Sequence, residues 1–304
     1  MNNAIAATDK TRRGTIFVEN AEILAHQSFP GDQYVLRVKA PKCASNAKPG
    51  SFVHITCDPA LPMRRPMSIM RVSPEDGWVE MLYKAIGEGT RLLAQRHVGD
   101  VLSMMGPIGI PFTPDPSRPR ALLIGGGVGI PPMVFIAQWI KENLRRDNSA
   151  GWKPFVIMGS EVPFPFKVQP SSIMVPGLPD GVIGGMPLMD DWGIASRLAS
   201  MQGYAGCFEG YVTDLARSWL KALDESQREQ VAIYTCGPTP MLAAVAKLAR
   251  EFDLPCQVSL EEHMACAVGG CAGCVVRVET EDGPAMKRVC VDGPVFDAYK
   301  VFAA

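Results

Sequence analysis

The residues best equipped for chemistry are four cysteines near the C-terminus: Cys266-AVGG-Cys271-AG-Cys274, then Cys290 after a stretch that reads as a hairpin. Four residues, then two, then a distant fourth cysteine is the plant-type spacing of 2Fe-2S ligands. Three thiolates from one short loop can surround a cluster only if the backbone curls through positive φ angles and brings its amide N–H groups to the sulfurs. Gly269, Gly270 and Gly273 are expected to supply that freedom. Tetrahedral thiolate ligation also suits structural zinc. Zinc sites usually pair two close-spaced couples, whereas this stretch has one, so the spacing favours iron and sulfide.

Three weaker motifs precede the cysteines. Arg65-Pro66-Met67-Ser68 ends a candidate strand, and LYKAIGEGT follows with a helix behind it. Arg65 can pair with a pyrophosphate, Ser68 can hydrogen-bond the edge of a flavin ring, and Gly89-Thr90 can offer N–H groups and a hydroxyl to phosphate at a helix start. Alone, the motif reads more readily as a strand end with a surface arginine and a threonine cap. GGGVGIPPM, with Gly125, Gly126, Gly127 and Gly129, follows the strand-like ALLI and opens a helix. Such glycines let a dinucleotide approach the backbone at the carboxyl end of a parallel strand. The spacing is not the standard fingerprint, and a tight turn with proline in the first helical turn would look the same. Cys236-Gly237-Pro238 ends the strand-like VAIYT. It would set a thiol beside a nicotinamide, or be a buried cysteine before a turn. Glu261, Glu262 and His263 read as a solvated face. His54 and His97 have no partner pattern that suggests a metal.

The elements needed to position these residues can be read along the chain. At 304 residues there is room for about two domains. Lys plus Arg (30) nearly balances Asp plus Glu (31), which excludes a broad field for nucleic acid or an anionic membrane surface. The N-terminus, MNNAIAATDKTRRG, has no secretory signal pattern and reads as a cytoplasmic start. The uncharged window Ala121 to Ile140 has the length of a membrane span, but GGGVGIPP divides it into strand, turn and helix start. The other five of the nine cysteines are scattered, which argues against a disulfide framework. GTIFVEN, QYVLRVKA, PGSFVHITC, RRPMSIMRV, GWVEMLYKA and DVLSMMG are six close-spaced strands of an antiparallel barrel, with one helix from Thr90 to His97. IPFTPDPSRPR is a proline-rich linker. Beyond it, ALLIGGG, PFVIMGS and VAIYTCG alternate with three helices, one entered through Thr213 as its N-cap, which predicts a parallel sheet. The Pro- and Gly-rich stretch 161–189 breaks the alternation and has no assignable element; it reads as a surface excursion or a contact surface. The fold class is therefore α/β plus β: a barrel over 12–113, a nucleotide domain over 118–255 and a cluster domain over 256–304.

In order, RPMS, GGGVG and CGPTPM resemble the ferredoxin reductase-like flavoproteins. The tail SLEEHMACAVGGCAGC with RVCVDGPVF behind it is similar to the electron transfer subunits of class 1B dihydroorotate dehydrogenase. The resemblance implies FAD held by Arg65, Pro66, Met67 and Ser68, by Leu82, Tyr83 and Lys84, and by Gly89 and Thr90. It implies NAD (or NADP) on the second domain at Gly125, Gly126, Gly127, Gly129, Gly237 and Pro238, with Cys236 as the catalytic thiol. It also implies a separate FMN-containing catalytic subunit, in a heterotetramer, and a place in pyrimidine biosynthesis. Two features depart from the family pattern: the stretch 161–205 is long and has no recognisable acidic ribose-binding position, and Pro131 stiffens the glycine turn. Electron counting agrees with the cofactor set, because nicotinamide exchanges two electrons, a two-iron cluster one, and a flavin can do both. The alternative is an NAD(P)H reductase, alone or in a complex, serving ferredoxin-type or sulfite-reduction partners.

Overall fold

Alternating apolar residues on six short strands are buried together when the sheet curls into a tube. In the computed structural model, which describes residues 14–146 and 151–303, the first half of the chain does this. Its elements are β1 (Phe17–Phe29), β2 (Gln33–Lys39), α1 (Pro41–Asn46), β3 (Phe52–Ile55), β4 (Arg65–Ser73), β5 (Trp78–Lys84), α2 (Glu88–Leu93) and β6 (Val101–Ile108). The strands close in the order β1-β2-β5-β4-β3-β6, which leaves no unpaired edge. Ile23, Leu36, Val53, Ile69 and Met81 fill the tube. All six expected strands are present. The expected helix starts earlier and stops sooner, because Gly87 is the N-cap and Thr90 Oγ1 accepts its amide at 3.1 Å. Helix α1 was not foreseen; the Glu19 carboxylate accepts the Lys42 and Cys43 amides at its start, at 3.0 and 2.8 Å. The N-terminal stretch read as a cytoplasmic start lies, up to Arg13, outside the described residues.

The second half contains β7 (Arg120–Gly126), α3 (Ile130–Arg146), β8 (Phe155–Gly159), β9 (Gln169–Pro170), β10 (Gly184–Gly185), α4 (Pro187–Asp191), β11 (Ala195–Ser200), β12 (Phe208–Glu209), α5 (Val212–Ala222), α6 (Glu225–Glu229), β13 (Val231–Cys236), α7 (Thr239–Glu251), β14 (Cys256–Ser259), β15 (Val275–Thr280), β16 (Gly283–Arg288), β17 (Val295–Asp297) and α8 (Ala298–Val301). One sheet runs β12-β11-β8-β7-β13-β14-β17, parallel except for β17, and β15 pairs with β16 in a separate hairpin. Strands β7 and β13 are buried almost throughout, as expected of a parallel sheet covered on both faces. The sequence reading found three of these seven strands. It missed β11 (ASRLAS) and β14 (CQVS), whose polar residues interrupt the apolar run. Strands β14 and β17 join the sheet, so the segment after residue 256 contributes to the nucleotide domain before and after its cluster loop. Thr213, expected as an N-cap, lies inside α5, buried; Tyr211 holds the cap position. The uncharged window from Ala121 is β7, a single 3-10 turn and the start of α3, and no helix among the described residues is long and apolar enough to cross a membrane.

The excursion holds only the short β9, β10 and α4, and polar anchors tie it together. Arg197, 4% exposed, donates to the carbonyls of Val182, Ser196 and Ile173 at 3.0, 2.7 and 2.7 Å. Asp190 accepts from Ser171 Oγ at 2.8 Å and the Ser172 amide at 2.7 Å. Phe164, Met186 and Met189 are buried in the core on one face of the sheet, the last of them on the short crossover helix α4. Two locks hold the barrel to the sheet. Gln138 of α3 bonds both backbone groups of Val72, accepting its amide at 3.2 Å and donating to its carbonyl at 2.7 Å. Gln33 Nε2 donates to the Pro163 carbonyl at 2.7 Å, and Val162 packs on Gly31.

Candidate functional site

Three segments far apart in sequence meet around one cavity of about 640 Å3, within the range of cofactor sites. Of the residues expected to hold a flavin, Arg65, Pro66, Met67, Ser68, Leu82, Tyr83, Lys84 and Thr90 line it. Gly89 lies behind Arg65, and a β-carbon there would stand 3.1 Å from Arg65 Nε and 3.2 Å from its Cζ. Glycine is therefore what lets the guanidinium lie across the start of α2, a cradle that any side chain would fill. Arg65 Nη1 is steadied by the Met63 carbonyl at 2.7 Å. The Thr90 hydroxyl, expected to meet phosphate, is bonded here to both backbone groups of Gly87.

The opposite wall is exposed, as expected of a solvated face, but it also borders the cavity. Glu261, Glu262 and His263 line the cavity, where they follow β14 directly. Glu261 is open to the cavity yet surrounded by protein, and burial pushes its carboxyl up, with the Cys236 thiol pulling the other way. Cys236 is 0% exposed and does not line the cavity; its thiol lies 3.7 Å from Glu261 Oε1. Burial, then the Glu261 charge, raise the Cys236 thiol well above its ordinary value. It thus stands behind Glu261, outside the cavity lining. The only sequence signal for this wall was its place just before the cysteine loop.

The glycine turn sits where the sheet order reverses, with β8, β11 and β12 to one side of β7 and β13, β14 and β17 to the other. This switch point is where open α/β sheets bind ligands. The glycines have unequal tasks. A β-carbon on Gly129 would meet the Cys236 carbonyl and stand 2.5 Å from the Gly237 nitrogen, and one on Gly125 would lie 3.0 Å from Ile130 Cα. One on Gly126 would run into the Met241 sulfur, as one on Gly237 would meet the end of the same side chain. These four pack the two strand-to-helix turns together. Gly127 alone combines φ of +56° with open space, and Val128 beside it reaches the cavity. Pro238 is the N-cap of α7. Glu161 follows β8, the strand beside β7, so a carboxylate does stand near this edge.

The cysteine loop hangs from the same wall. Met264 lines the cavity, and Cys266 begins the loop two residues later. The loop is tied to its hairpin by Val289 N–H on the Cys274 carbonyl at 2.9 Å and by Arg288 Nη1 on the Gly269 carbonyl at 3.1 Å. The thiols interact in two pairs, Cys266 with Cys271 and Cys274 with Cys290, and Cys290 also feels Cys266. Among the described residues no group of three or more His, Cys, Asp or Glu is gathered as for one metal ion. Two thiolates for each of two metals is the donor set of a two-iron cluster. Burial would raise Cys266, but the amides of Val268, Cys271 and Gly270 outweigh it and bring the thiol down to about 7. Burial, then the Cys274 thiol, push Cys290 up to about 12. Of the three glycines expected at positive φ, only Gly269 adopts it (+81°); Ala267 and Ala272 take φ of +57° and +53°. Gly273 serves otherwise, its amide lying 3.4 Å from Cys271 Sγ. His54, 1% exposed and close to the Met264 backbone, has an Nε2 without a partner among the described residues.

A barrel joined to a parallel sheet, with a cavity between them and a four-thiol loop on its wall, is the architecture of ferredoxin reductase-like flavoproteins. Solved relatives agree. The structure of an NADH-dependent reduced ferredoxin-NADP oxidoreductase contains a chain with a TM-score of 0.70 and 27% identity, over 93% of this chain and 90% of that one. The ferredoxin reductase of carbazole 1,9a-dioxygenase shares the fold, with a TM-score of 0.58 at 21% identity, over 79% of this chain and 67% of that one. Residues 261–302 match the iron-sulfur cluster binding domain of dihydroorotate dehydrogenase B. The dihydroorotate dehydrogenase B (NAD(+)) electron transfer subunit of Desulforamulus reducens is 31% identical over 93% of this chain and 98% of its own length. That of Bacillus caldolyticus is 34% identical over 84% of this chain and 86% of its own. The chain belongs to this family of electron transfer subunits.

Proposed function

We propose that this chain passes electrons between an FMN-containing dihydroorotate dehydrogenase catalytic subunit and NAD, in pyrimidine biosynthesis, through a 2Fe-2S cluster and FAD. The reading is carried by the continuity of the cavity wall with the cysteine loop: one short stretch, Glu261 to Cys266, runs from the flavin cavity to the first thiol. When bound, the flavin supplies exchange of two electrons with nicotinamide and of single electrons with the cluster. Arg65 and Lys84 would offset the charge of an FAD pyrophosphate, and Ser68 would hydrogen-bond the ring edge. Cys266, Cys271, Cys274 and Cys290 are the cluster ligands. The turn at Gly125, Gly126, Gly127 and Gly129, with Gly237 and Pro238, receives the nicotinamide nucleotide (NAD or NADP). Glu261 would face the bound flavin from the cavity wall, with Cys236 behind it in a positioning role instead of the catalytic one expected. Dihydroorotate itself is handled by the partner, in a heterotetramer working in the cytoplasm.

Co-expression with a dihydroorotate dehydrogenase B catalytic subunit tests this. NADH should form from dihydroorotate and NAD only when both chains are present. Dihydroorotate oxidation by this chain alone would contradict the assignment. A second reading, an NADH-linked reductase subunit for ferredoxin-type carriers, is favoured by the 0.70 TM-score against the ferredoxin-NADP oxidoreductase chain. Turnover with free carriers and no complex with the catalytic subunit would support it instead.

A further inference from the structure

Three rings cluster inside one mouth of the barrel. His26 of β1, Tyr34 of β2 and Tyr83 of β5 lie on neighbouring strands, with Tyr34 directly opposite Tyr83. The two tyrosine rings stack at 5.3 Å with an interplanar angle of 15°, and the imidazole lies 5.4 Å from Tyr34 and 6.0 Å from Tyr83. The His26 hydrogen bonds fix its tautomer. Nδ1 lies 2.9 Å from the Arg96 carbonyl oxygen, which can only accept, so Nδ1 carries the hydrogen. In the neutral ring Nε2 is then an acceptor, and the Tyr83 hydroxyl, 2.8 Å away, donates to it.

Both partners belong to the flavin cavity's supports. Tyr83 lines the cavity between Leu82 and Lys84. Arg96 lies in the turn that follows α2, whose first residues pack on Arg65 and reach the cavity at Thr90. One imidazole therefore ties Tyr83 of strand β5 to the turn that ends α2. The same Arg96 is held from its other side by Asp58, at 2.7 Å. This leaves the carbonyl bond to His26 as the link toward β5.

We propose that His26 is a positioning residue for the flavin: through its two hydrogen bonds it holds β5 and α2 at the spacing the FAD pyrophosphate requires. The inference rests on reading the cavity as the FAD site, and the two can be told apart.

The test compares purified wild-type chain with His26→Phe, His26→Gln, Tyr83→Phe and the His26→Phe/Tyr83→Phe double variant. FAD dissociation is followed by the fluorescence of released flavin, and the bound flavin by its visible circular dichroism. Phenylalanine keeps a ring of similar size but loses both bonds, whereas glutamine has a donor and an acceptor at one end. His26→Phe should weaken FAD retention about tenfold and change the visible dichroism, for the loss of two hydrogen bonds. His26→Gln should restore most of both. Tyr83→Phe should show part of the effect, and His26→Phe should do less in its background than in wild type. Unchanged retention and dichroism in His26→Phe, or equal effects of His26→Phe in both backgrounds, would overturn the inference. If His26→Phe does not fold, no rescue by His26→Gln would overturn it. A wild-type chain that bound no FAD would remove the cavity reading and the inference with it.

Discussion

Replacing Gly129 by alanine is the sharpest probe of how the nucleotide turn is built. The added β-carbon would meet the Cys236 carbonyl group and the Gly237 nitrogen, 2.5 Å away, all backbone atoms at the end of β13. Relief therefore needs one strand-to-helix turn to move off the other. Overpacking typically costs about 1–3 kcal/mol, and rigid backbone on the receiving side puts this case near 3. For a unit of this size that lowers the melting temperature by roughly 6–12 °C. Two neighbours serve as controls. At Gly126 the obstacle is the Met241 side chain, which can swing, so alanine should cost about 1 kcal/mol or less. At Gly127 the space is open, and only the left-handed φ of +56° is penalised, by about 1–2 kcal/mol. Urea unfolding followed by tryptophan fluorescence reads this half of the chain, since Trp139, Trp152, Trp192 and Trp219 lie there and only Trp78 lies in the barrel. Gly129→Ala should also lose NADH binding. If it were as stable as Gly126→Ala, the close packing of the two turns would be refuted.

Arg65→Gln should weaken FAD binding about 10- to 100-fold by loss of a charged hydrogen-bond partner, whereas Gly89→Ala, which only presses on the guanidinium, should cost a few-fold; flavin titration into apoprotein measures both. In cluster-free protein, Cys266, at about 7, should be alkylated by iodoacetamide near neutral pH with a rate that rises between pH 6 and 8, while buried Cys236 stays unmodified, as peptide mass mapping will show. Burial, with the Arg64 and Arg65 charges adding to it and the Met264 and Arg64 backbone opposing, lowers the His54 pKa below the ordinary histidine value of 6.5. The folded state then binds fewer protons than the unfolded chain. His54 should lower stability as pH falls below 6.5, by at most about 1.4 kcal/mol per pH unit, and contribute no such loss above it. Urea midpoints at pH 7.5 and 5.5 should diverge in wild type and draw together in His54→Phe; equal divergence in both would contradict the assignment.

The parts of the molecule that announce themselves locally were legible in the sequence. Barrel strands alternate apolar and polar residues, and the cysteine spacing is a ligand pattern in itself. The strands at the sheet's flanks were not legible: β11 and β14 carry Ser, Arg or Gln in sequence, and only their neighbours in the sheet make them strands. Arg197 is the clearest case. A lone arginine in ASRLAS signals nothing, yet its three carbonyl contacts hold a proline-rich segment that has no regular pattern of its own. Glu261, Glu262 and His263 read as a solvated face and are exposed, but only the return of the chain from β14 past the barrel also turns them onto the cavity. Cys236 was correctly placed at the end of its strand, but direction along the strand does not tell whether a thiol faces the cleft or the residue behind it.

Elemental and cofactor analysis of the anaerobically purified chain bears most directly on whether these thiols hold paired irons beside a flavin. About two irons, two acid-labile sulfides and one FAD per chain are expected, with a visible spectrum that bleaches on adding NADH. Zinc at one equivalent with no iron, or iron content that persists when both Cys271 and Cys290 are changed to serine, would contradict it.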